Sequence, residues 1–149
     1  MIRRAGSRDA EAVVRIFRES RAEAMPWLPV LHSEEEDLNW FRGTLAGEAY
    51  VFEEDGVVLG YAVLQGDELH DLYVAPESQR RGVGSALFAC IQAARPDGFH
   101  FWAFRDNTRA RRFYDARGCR LIGASDGDNE EGMPDVQYEW RPTPAAAEA

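Results

Sequence analysis

Gln79-Arg80-Arg81-Gly82-Val83-Gly84-Ser85-Ala86 joins a strand-like run, Leu69 to Val74, to a helix-like run, Ala86 to Ala94. Strand, glycine-rich turn and helix together make a backbone cradle for an anion. Gly82 and Gly84 carry no side chain, so amide N–H groups can approach a ligand closely. The helix that follows adds unpaired N–H groups and the positive end of its dipole. Arg80 and Arg81 add fixed positive charge. The stretch reads as a pyrophosphate site, with a plain strand-to-helix turn as the alternative. It is not a Walker loop, since no G-K-[ST] follows. Nor is it the dinucleotide fingerprint, because Leu87 stands where the third glycine of G-x-G-x-x-G is needed.

Around this loop the apolar pattern sets the rest of the fold. Ile2 to Ala5 reads as a short strand. A helix is expected from about Arg8 to Ala24, with Ser7 as N-cap and Ala10, Val13, Val14 and Phe17 at helical spacing. The two prolines of Met25 to His32 end it. Ser33 with Glu36 forms a capping box for a second helix to about Ala46. A meander of three strands follows: Glu48 to Glu53, Val57 to Gln65 with Gly60 as a candidate bulge, and Glu68 to Val74. After the glycine loop come a helix buried along Val83, Leu87, Cys90, Ile91 and Ala94, a strand from Phe99 to Phe104, and a helix from Thr108 to Arg117 stopped by Gly118. Strands at Cys119 to Gly123 and Val136 to Trp140 complete the order βααβββαβαββ. The βαβ unit from Glu68 to Phe104 makes a parallel pair and the meander makes antiparallel ones. The expected fold is α/β (α+β), a mixed twisted sheet of about seven strands with helices on both faces. One domain should span residues 1–141, with 142–149 a frayed tail.

Composition excludes several classes. The net charge of −9 over 149 residues argues against nucleic acid as a partner, since such binding rests on basic surface. All 17 basic residues are Arg and there is no Lys. No apolar run approaches the roughly 20 residues of a membrane helix, and the first residues carry no signal-peptide pattern, so no membrane partner and a cytoplasmic location are expected. Cys90 and Cys119 have no metal-ligand spacing and read as packed thiols, so no metal is expected.

A second segment, Asn107-Thr108-Arg109-Ala110-Arg111-Arg112-Phe113-Tyr114-Asp115-Ala116-Arg117-Gly118, opens with a good N-cap and sets Tyr114 two helical turns further along the same face. With these residues the chain resembles the GNAT N-acetyltransferase superfamily from about Ile2 to Trp140. Gln79-Arg80-Arg81-Gly82-Val83-Gly84 fits its [QR]-x-x-G-x-[GA] pattern, and the N…R-x-F-Y…G segment follows about 25 residues later. The resemblance implies acetyl-CoA as co-substrate. Its pyrophosphate would be held by the amides from Gln79 through Arg80, Arg81, Gly82, Val83 and Gly84 to Ser85. Its pantetheine arm would pair with the backbone of Leu72, Tyr73 and Val74, as an added strand satisfies an exposed edge. A backbone N–H there would stabilise the tetrahedral oxyanion. Asn107 would contact the arm, and Tyr114 would stand near the sulfur as general acid. A phenol with a reference pKa of about 10 keeps its proton near neutrality. The alternative for Tyr114 is an aromatic packed on the sheet.

An amine with pKa near 10 must lose a proton before it attacks. Glu68 matches the base of some family members, acting directly or through water, and could otherwise be a solvated strand start. By period two, Glu68 and His70 share one face, while Asp71 lies opposite with Leu69 and Tyr73. Other members carry a Glu five residues before the Asn. Here Trp102 stands there, which suggests an aromatic wall. His100 reads as structural. Trp27, Leu28 and His32 of the first interhelical connection would line the acceptor pocket with Trp102. Asp126, Asp128, Glu130 and Glu131 would attract a cation or simply be solvated. Arg105, Arg109, Arg111 and Arg112 make the start of the late helix basic, some of them toward the CoA phosphates. The expected function is acetyl transfer from acetyl-CoA to a primary amine, on a small molecule or a peptide, by direct attack in a ternary complex. Its rival is a non-catalytic CoA-binding sensor or assembly module. The resemblance also admits a homodimer.

Overall fold

Strands β1 (Ile2–Arg4), β2 (Glu48–Glu54), β3 (Val57–Gln65), β4 (Glu68–Val74), β5 (Phe99–Phe104), β6 (Arg120–Ser125) and β7 (Asp135–Trp140) alternate with helices α1 (Ala10–Ala24), α2 (Glu34–Thr44), α3 (Val83–Ala94) and α4 (Thr108–Ala116). They come from a computed structural model that describes residues 1–142. The tail expected from 142 therefore lies, from residue 143 on, outside the described residues. The strands form one mixed sheet in the order β1-β2-β3-β4-β5-β7-β6, with β4 and β5 its parallel pair.

Each face of the sheet carries its own apolar layer. Helices α1 and α2 press Val13, Val14, Ile16, Phe41 and Leu45 onto Val51, Tyr61 and Val63. On the opposite face, α3 and α4 press Leu87, Phe88, Ile91 and Tyr114 onto Leu64, Leu69, Phe101 and Tyr138. Each large side chain buried here contributes about 1.5–3 kcal/mol of transfer free energy. The capping box of α2 forms as read: Ser33 Oγ accepts from the Glu36 N–H at 3.1 Å, and Glu36 Oε1 accepts from the Ser33 N–H at 2.8 Å. Ser7 is not the cap of α1. A 3-10 turn, Ser7–Asp9, precedes that helix, and the Asp9 carboxylate accepts from the Gly6 N–H at 2.9 Å. Arg3 grips the same carboxylate at 2.8 and 3.0 Å and holds its pKa below the ordinary value.

Two irregularities set which side chains face which layer. Phe52 pairs with Gly60 and Glu53 with Val58, so the extra residue of β3 is Leu59 and not Gly60. Gly60 serves packing instead. A Cβ there would meet Val83 Cγ1 at 2.9 Å, Leu87 Cδ1 at 3.0 Å and the Tyr73 carbonyl at 3.1 Å. Only hydrogen at this position lets α3 sit so close to the sheet. On β4, Val63 pairs with Asp71 and Leu64 with Leu69, which leaves His70 as the extra residue. The period-two reading therefore fails across His70. Leu69 joins Leu72 and Val74 on the α3–α4 side, while Asp71 and Tyr73 face α1 and α2.

Candidate functional site

The strand–loop–helix stretch folds as a cradle of main-chain N–H groups. After β4, a short 3-10 turn, Pro76–Ser78, leads into the loop. Arg80 (φ 67°) and Gly82 (φ 83°) both adopt left-handed backbone. That conformation costs a non-glycine residue roughly 1–2 kcal/mol, so the loop at Arg80 is held against a local preference. The first N–H of α3 with an intrahelical partner is that of Ala86, bonded to the Gly82 carbonyl at 3.0 Å. Among the described residues, no main-chain hydrogen bond is donated from Arg80 to Ser85. Helix α3 begins at Val83, so Gly84 and Ser85 occupy its first turn and not the loop before it. Unpaired N–H groups at a helix N-terminus suit an anion.

Gln79 works by side chain as well as by position. Its Nε2 donates to the Val74 carbonyl at 3.2 Å, and its Oε1 accepts from Arg109 at 2.8 Å. It thus ties the end of β4 to the start of α4. Arg109 also meets Glu23 at 2.6 Å, and Arg111 donates to Tyr138 at 3.1 Å. Arg105 pairs with its neighbour Asp106. The guanidinium that reaches the cradle is another one: Arg117 donates to Ser85 Oγ and lies over the Phe113 ring. Sequence reading passed over Arg117 because its link to Ser85 joins two helices and has no local signature.

Beside the cradle the sheet opens. Strands β4 and β5 share a single paired position, Glu68 with His100. On its other edge β4 stays paired to β3 through Val74, and β5 is paired to β7 along its whole length. The β5-facing edge of β4 is therefore bare from His70 to Val74. Leu72 and Tyr73 of this edge line a cavity of about 1180 Å³, together with Asn107 and Tyr114 from α4 and Glu68 from the foot of β4. Asn107 caps α4 with Oδ1 accepting from the Ala110 N–H at 3.3 Å. Tyr114 is 8 % exposed and packs on Phe101 with ring centroids 4.3 Å apart. Burial pushes its phenol well above the ordinary value, so the hydroxyl keeps its proton near neutral pH and can donate it in a hydrogen bond. Tyr73, its neighbour across the opening, is pushed to about 12 for the same reason.

The rest of the cavity is built of side chains from α1, α2, the connection between them and the β6–β7 loop. His32 and Trp102 line it; Trp27 does not, and packs edge-on behind Phe104 at 6.2 Å. Arg18 meets Asp37 at 2.7 Å and Arg21 meets Glu131 at 3.1 Å. Arg21 is also layered on Phe17 at 4.6 Å. His32 meets Glu130, which raises the imidazole pKa. Of the acidic loop residues, Glu130 and Glu131 face the cavity; Asp126 and Asp128 are not among its lining. Deep on β4, the buried Asp71 accepts from Tyr61 Oη at 2.8 Å and from His70 Nδ1 at 2.9 Å. His100 lies apart, beside a smaller cavity on the far side of β5, with its Nδ1 buried and unpartnered. Among the described residues no group of His, Cys, Asp and Glu is arranged to hold a metal ion, and no helix is long and apolar enough to cross a membrane.

Known proteins resemble this chain in sequence and in fold. The profile of the acetyltransferase (GNAT) family matches residues 10–119. The chain is 29% identical to the peptidyl-lysine N-acetyltransferase YiaC of Escherichia coli K12, over 94% of this chain and 96% of that protein. Its fold resembles the solution structure of apo-form YjaB from Escherichia coli, with a TM-score of 0.79 at 22% identity, over 94% of this chain and 96% of that one. It also resembles the PaiA N-acetyltransferase of Thermoplasma acidophilum in complex with coenzyme A, with a TM-score of 0.66 at 18% identity, over 95% and 98% of the two chains. The matched segment runs from α1 through the cradle to the end of α4, and so contains both halves of the opening in the sheet; the chain belongs to the acetyltransferase (GNAT) family.

Proposed function

We propose that this N-acetyltransferase takes acetyl from acetyl-CoA and delivers it to a primary amine that is cationic in solution, of the kind a peptide lysine presents. The observation that carries the reading is the opening between β4 and β5. Its bare edge starts at the N–H cradle and runs past Tyr114 into a large cavity. The cradle from Gln79 to Ser85 fits a pyrophosphate, and the free edge of Leu72, Tyr73 and Val74 fits an amide-bearing arm. Acetyl-CoA supplies the activated carbonyl. The protein supplies the rest: a main-chain N–H of β4 toward the developing oxyanion, Asn107 beside the arm, and the Tyr114 hydroxyl as donor toward the departing sulfur.

The acceptor enters from the α1–α2 side. Eight carboxylates and two guanidiniums line the cavity, so its field favours a cation. The relative from Escherichia coli bears the name of a peptidyl-lysine acetyltransferase, which supports the same class. Direct attack is supported by the two thiols. Burial raises the Cys90 pKa and pushes Cys119 to about 12, so neither is a ready thiolate for a covalent acetyl-enzyme. Two groups on β4 face the cavity as proton acceptors, Glu68 and the pair His70–Asp71.

The test is thiol release from acetyl-CoA against a panel of amines that includes a lysine peptide with both termini blocked. Because the chain has no Lys, acetyl-lysine found by mass spectrometry comes from the acceptor alone. Turnover with the peptide, kept in a Cys90→Ser, Cys119→Ser double variant, is the expected result. Calorimetric CoA binding with no amine-dependent thiol release would instead mark a non-catalytic CoA-binding module.

A further inference from the structure

We propose that His70, held by Asp71, is the base that takes the proton from the acceptor ammonium. This rests on the acetyl-transfer reading above and names the group that reading leaves open. His70 is the extra residue of the β4 bulge, so its side chain leaves the alternation of the strand and turns into the cavity beside the opening in the sheet. The ring is fixed twice. Trp40 of α2 lies against it with centroids 5.4 Å apart, and Asp71 Oδ1 sits 2.9 Å from Nδ1.

A carboxylate only accepts, so Nδ1 carries the hydrogen and the lone pair of the neutral ring is on Nε2. Asp71 is itself fixed by Tyr61 Oη at 2.8 Å, and its side chain is 7 % exposed. A buried carboxylate orienting a histidine whose other nitrogen is free is an arrangement suited to proton abstraction. Glu68 lines the same cavity but has no hydrogen-bonding partner among the described residues to aim it. The side chain of His70 is 36 % exposed, which leaves it a route to return the proton to water.

The step balances as follows. His70 Nε2 takes one proton from R–NH3⁺. The freed lone pair on nitrogen forms the C–N bond to the thioester carbon, and the C–S pair departs on sulfur. A second proton leaves nitrogen and reaches that sulfur, with Tyr114 as relay. Ammonium and thioester become amide, thiol and one proton, which His70 releases to solvent. Asp71 and Glu68 on β4 raise the imidazole pKa, the Asp71 hydrogen bond most. Asp37 of α2, Arg18 and Arg21 of α1, and Glu130 and Glu131 of the β6–β7 loop face the same space.

Two measurements test the assignment. With acetyl-CoA and the blocked lysine peptide, the wild-type kcat/KM should rise with pH through a group above 6.5 and then level off. His70→Gln should lose roughly 10²-fold or more at pH 7. Its rate should then climb about tenfold per pH unit and approach wild type as the amine titrates near 10.4. A deficit that stays constant with pH, or an acid limb removed by Glu68→Gln and kept in His70→Gln, overturns the proposal. The second measurement needs no acceptor: ¹⁵N NMR of the imidazole rings, with His70 assigned by its loss in His70→Gln. The neutral ring should carry its hydrogen on Nδ1 and titrate above 6.5, and Asp71→Asn should lower that pKa. A neutral ring protonated on Nε2 overturns the proposal even if the wild-type protein acetylates amines. Absence of thiol release from wild type with every amine defeats the acetyl-transfer reading instead.

Discussion

The two halves of the proposed site are made of different material. The donor half is backbone: unpaired N–H groups between Arg80 and Ser85 and the bare edge of β4. The acceptor half is side chains gathered from α1, α2, β4 and the β6–β7 loop. A backbone site is insensitive to most side-chain changes and sensitive to anything that moves the chain. A side-chain site is the reverse. Tyr114 stands at the seam, and after His70 its replacement should have the largest effect on turnover. Tyr114→Phe keeps the packing on Phe101 and deletes only the hydroxyl. A thiolate is already a fair leaving group, so the expected loss in kcat is about 10–100-fold, at the low end for acid catalysis. CoA affinity by calorimetry should stay within about twofold, since the cradle is untouched. An unchanged kcat would remove Tyr114 from the chemistry.

The next largest effect should come from a residue that touches no ligand. Gly60→Val sets a Cβ against Val83, Leu87 and the Tyr73 carbonyl, all within 3.1 Å. Relief requires α3 to move off the sheet. Overpacking of this kind costs roughly 1–3 kcal/mol, or a midpoint roughly 2–12 °C lower in thermal unfolding. Since the same movement carries Val83 to Ser85 away from β4, CoA affinity should fall about tenfold. A destabilised variant with wild-type affinity would show that the cradle is set by the loop alone.

What the sequence makes legible follows the same division. The glycine loop, the capping box at Ser33, the Asn107 cap and the strand–helix order are local patterns. Each is encoded within a few residues, so each can be read. The acceptor half depends on register and on long-range pairs. Nothing local marks His70 as a bulge, because the extra residue exists only relative to Leu64 and Val63 of the partner strand. That one residue moves Leu69 to the other face from Asp71. The contact between Arg117 and Ser85, and those of Arg21 with Glu131 and His32 with Glu130, likewise span loops that no pattern in one segment announces. Trp27 was legible as an aromatic near the pocket, yet it packs behind Phe104 because only the fold decides which ring stands in front.

A smaller effect should separate charge from backbone within the donor half. Arg81 is half exposed and meets Glu54 at 3.4 Å. As a surface charge it is worth at most about 1 kcal/mol to an anion, so Arg81→Ala should weaken CoA binding by no more than about fivefold, and by less as salt rises. Gly82→Val, which forces a β-branched residue into φ 83°, should cost more than the lost charge. If the order of the two is reversed, the cradle holds its ligand by side-chain charge and the contrast between the halves fails.

The smallest effect concerns the strap over the acceptor half. The loop between β6 and β7 is anchored by Arg21 to Glu131 and by His32 to Glu130. The first pair is largely buried. The second depends on a histidine whose folded pKa is raised above 6.5, first by the hydrogen bond to Glu130 and further by the charge of Glu36 and Asp37. A raised folded pKa means that the pair contributes fully below the unfolded value and is lost as pH rises through the folded one. Both partners are exposed and screened by salt, so global stability should barely respond. The response belongs to the loop. Amide hydrogen exchange from Gly127 to Met133, corrected for its intrinsic rate, should quicken in wild type as pH rises above the ordinary histidine value of about 6.5. His32→Ala should show the quicker exchange already at pH 6, while the acceptor KM rises no more than about threefold. Exchange in this loop that ignores both pH and the substitution would leave Arg21 as the sole anchor, and would make the acceptor half as rigid near neutrality as the backbone half it faces.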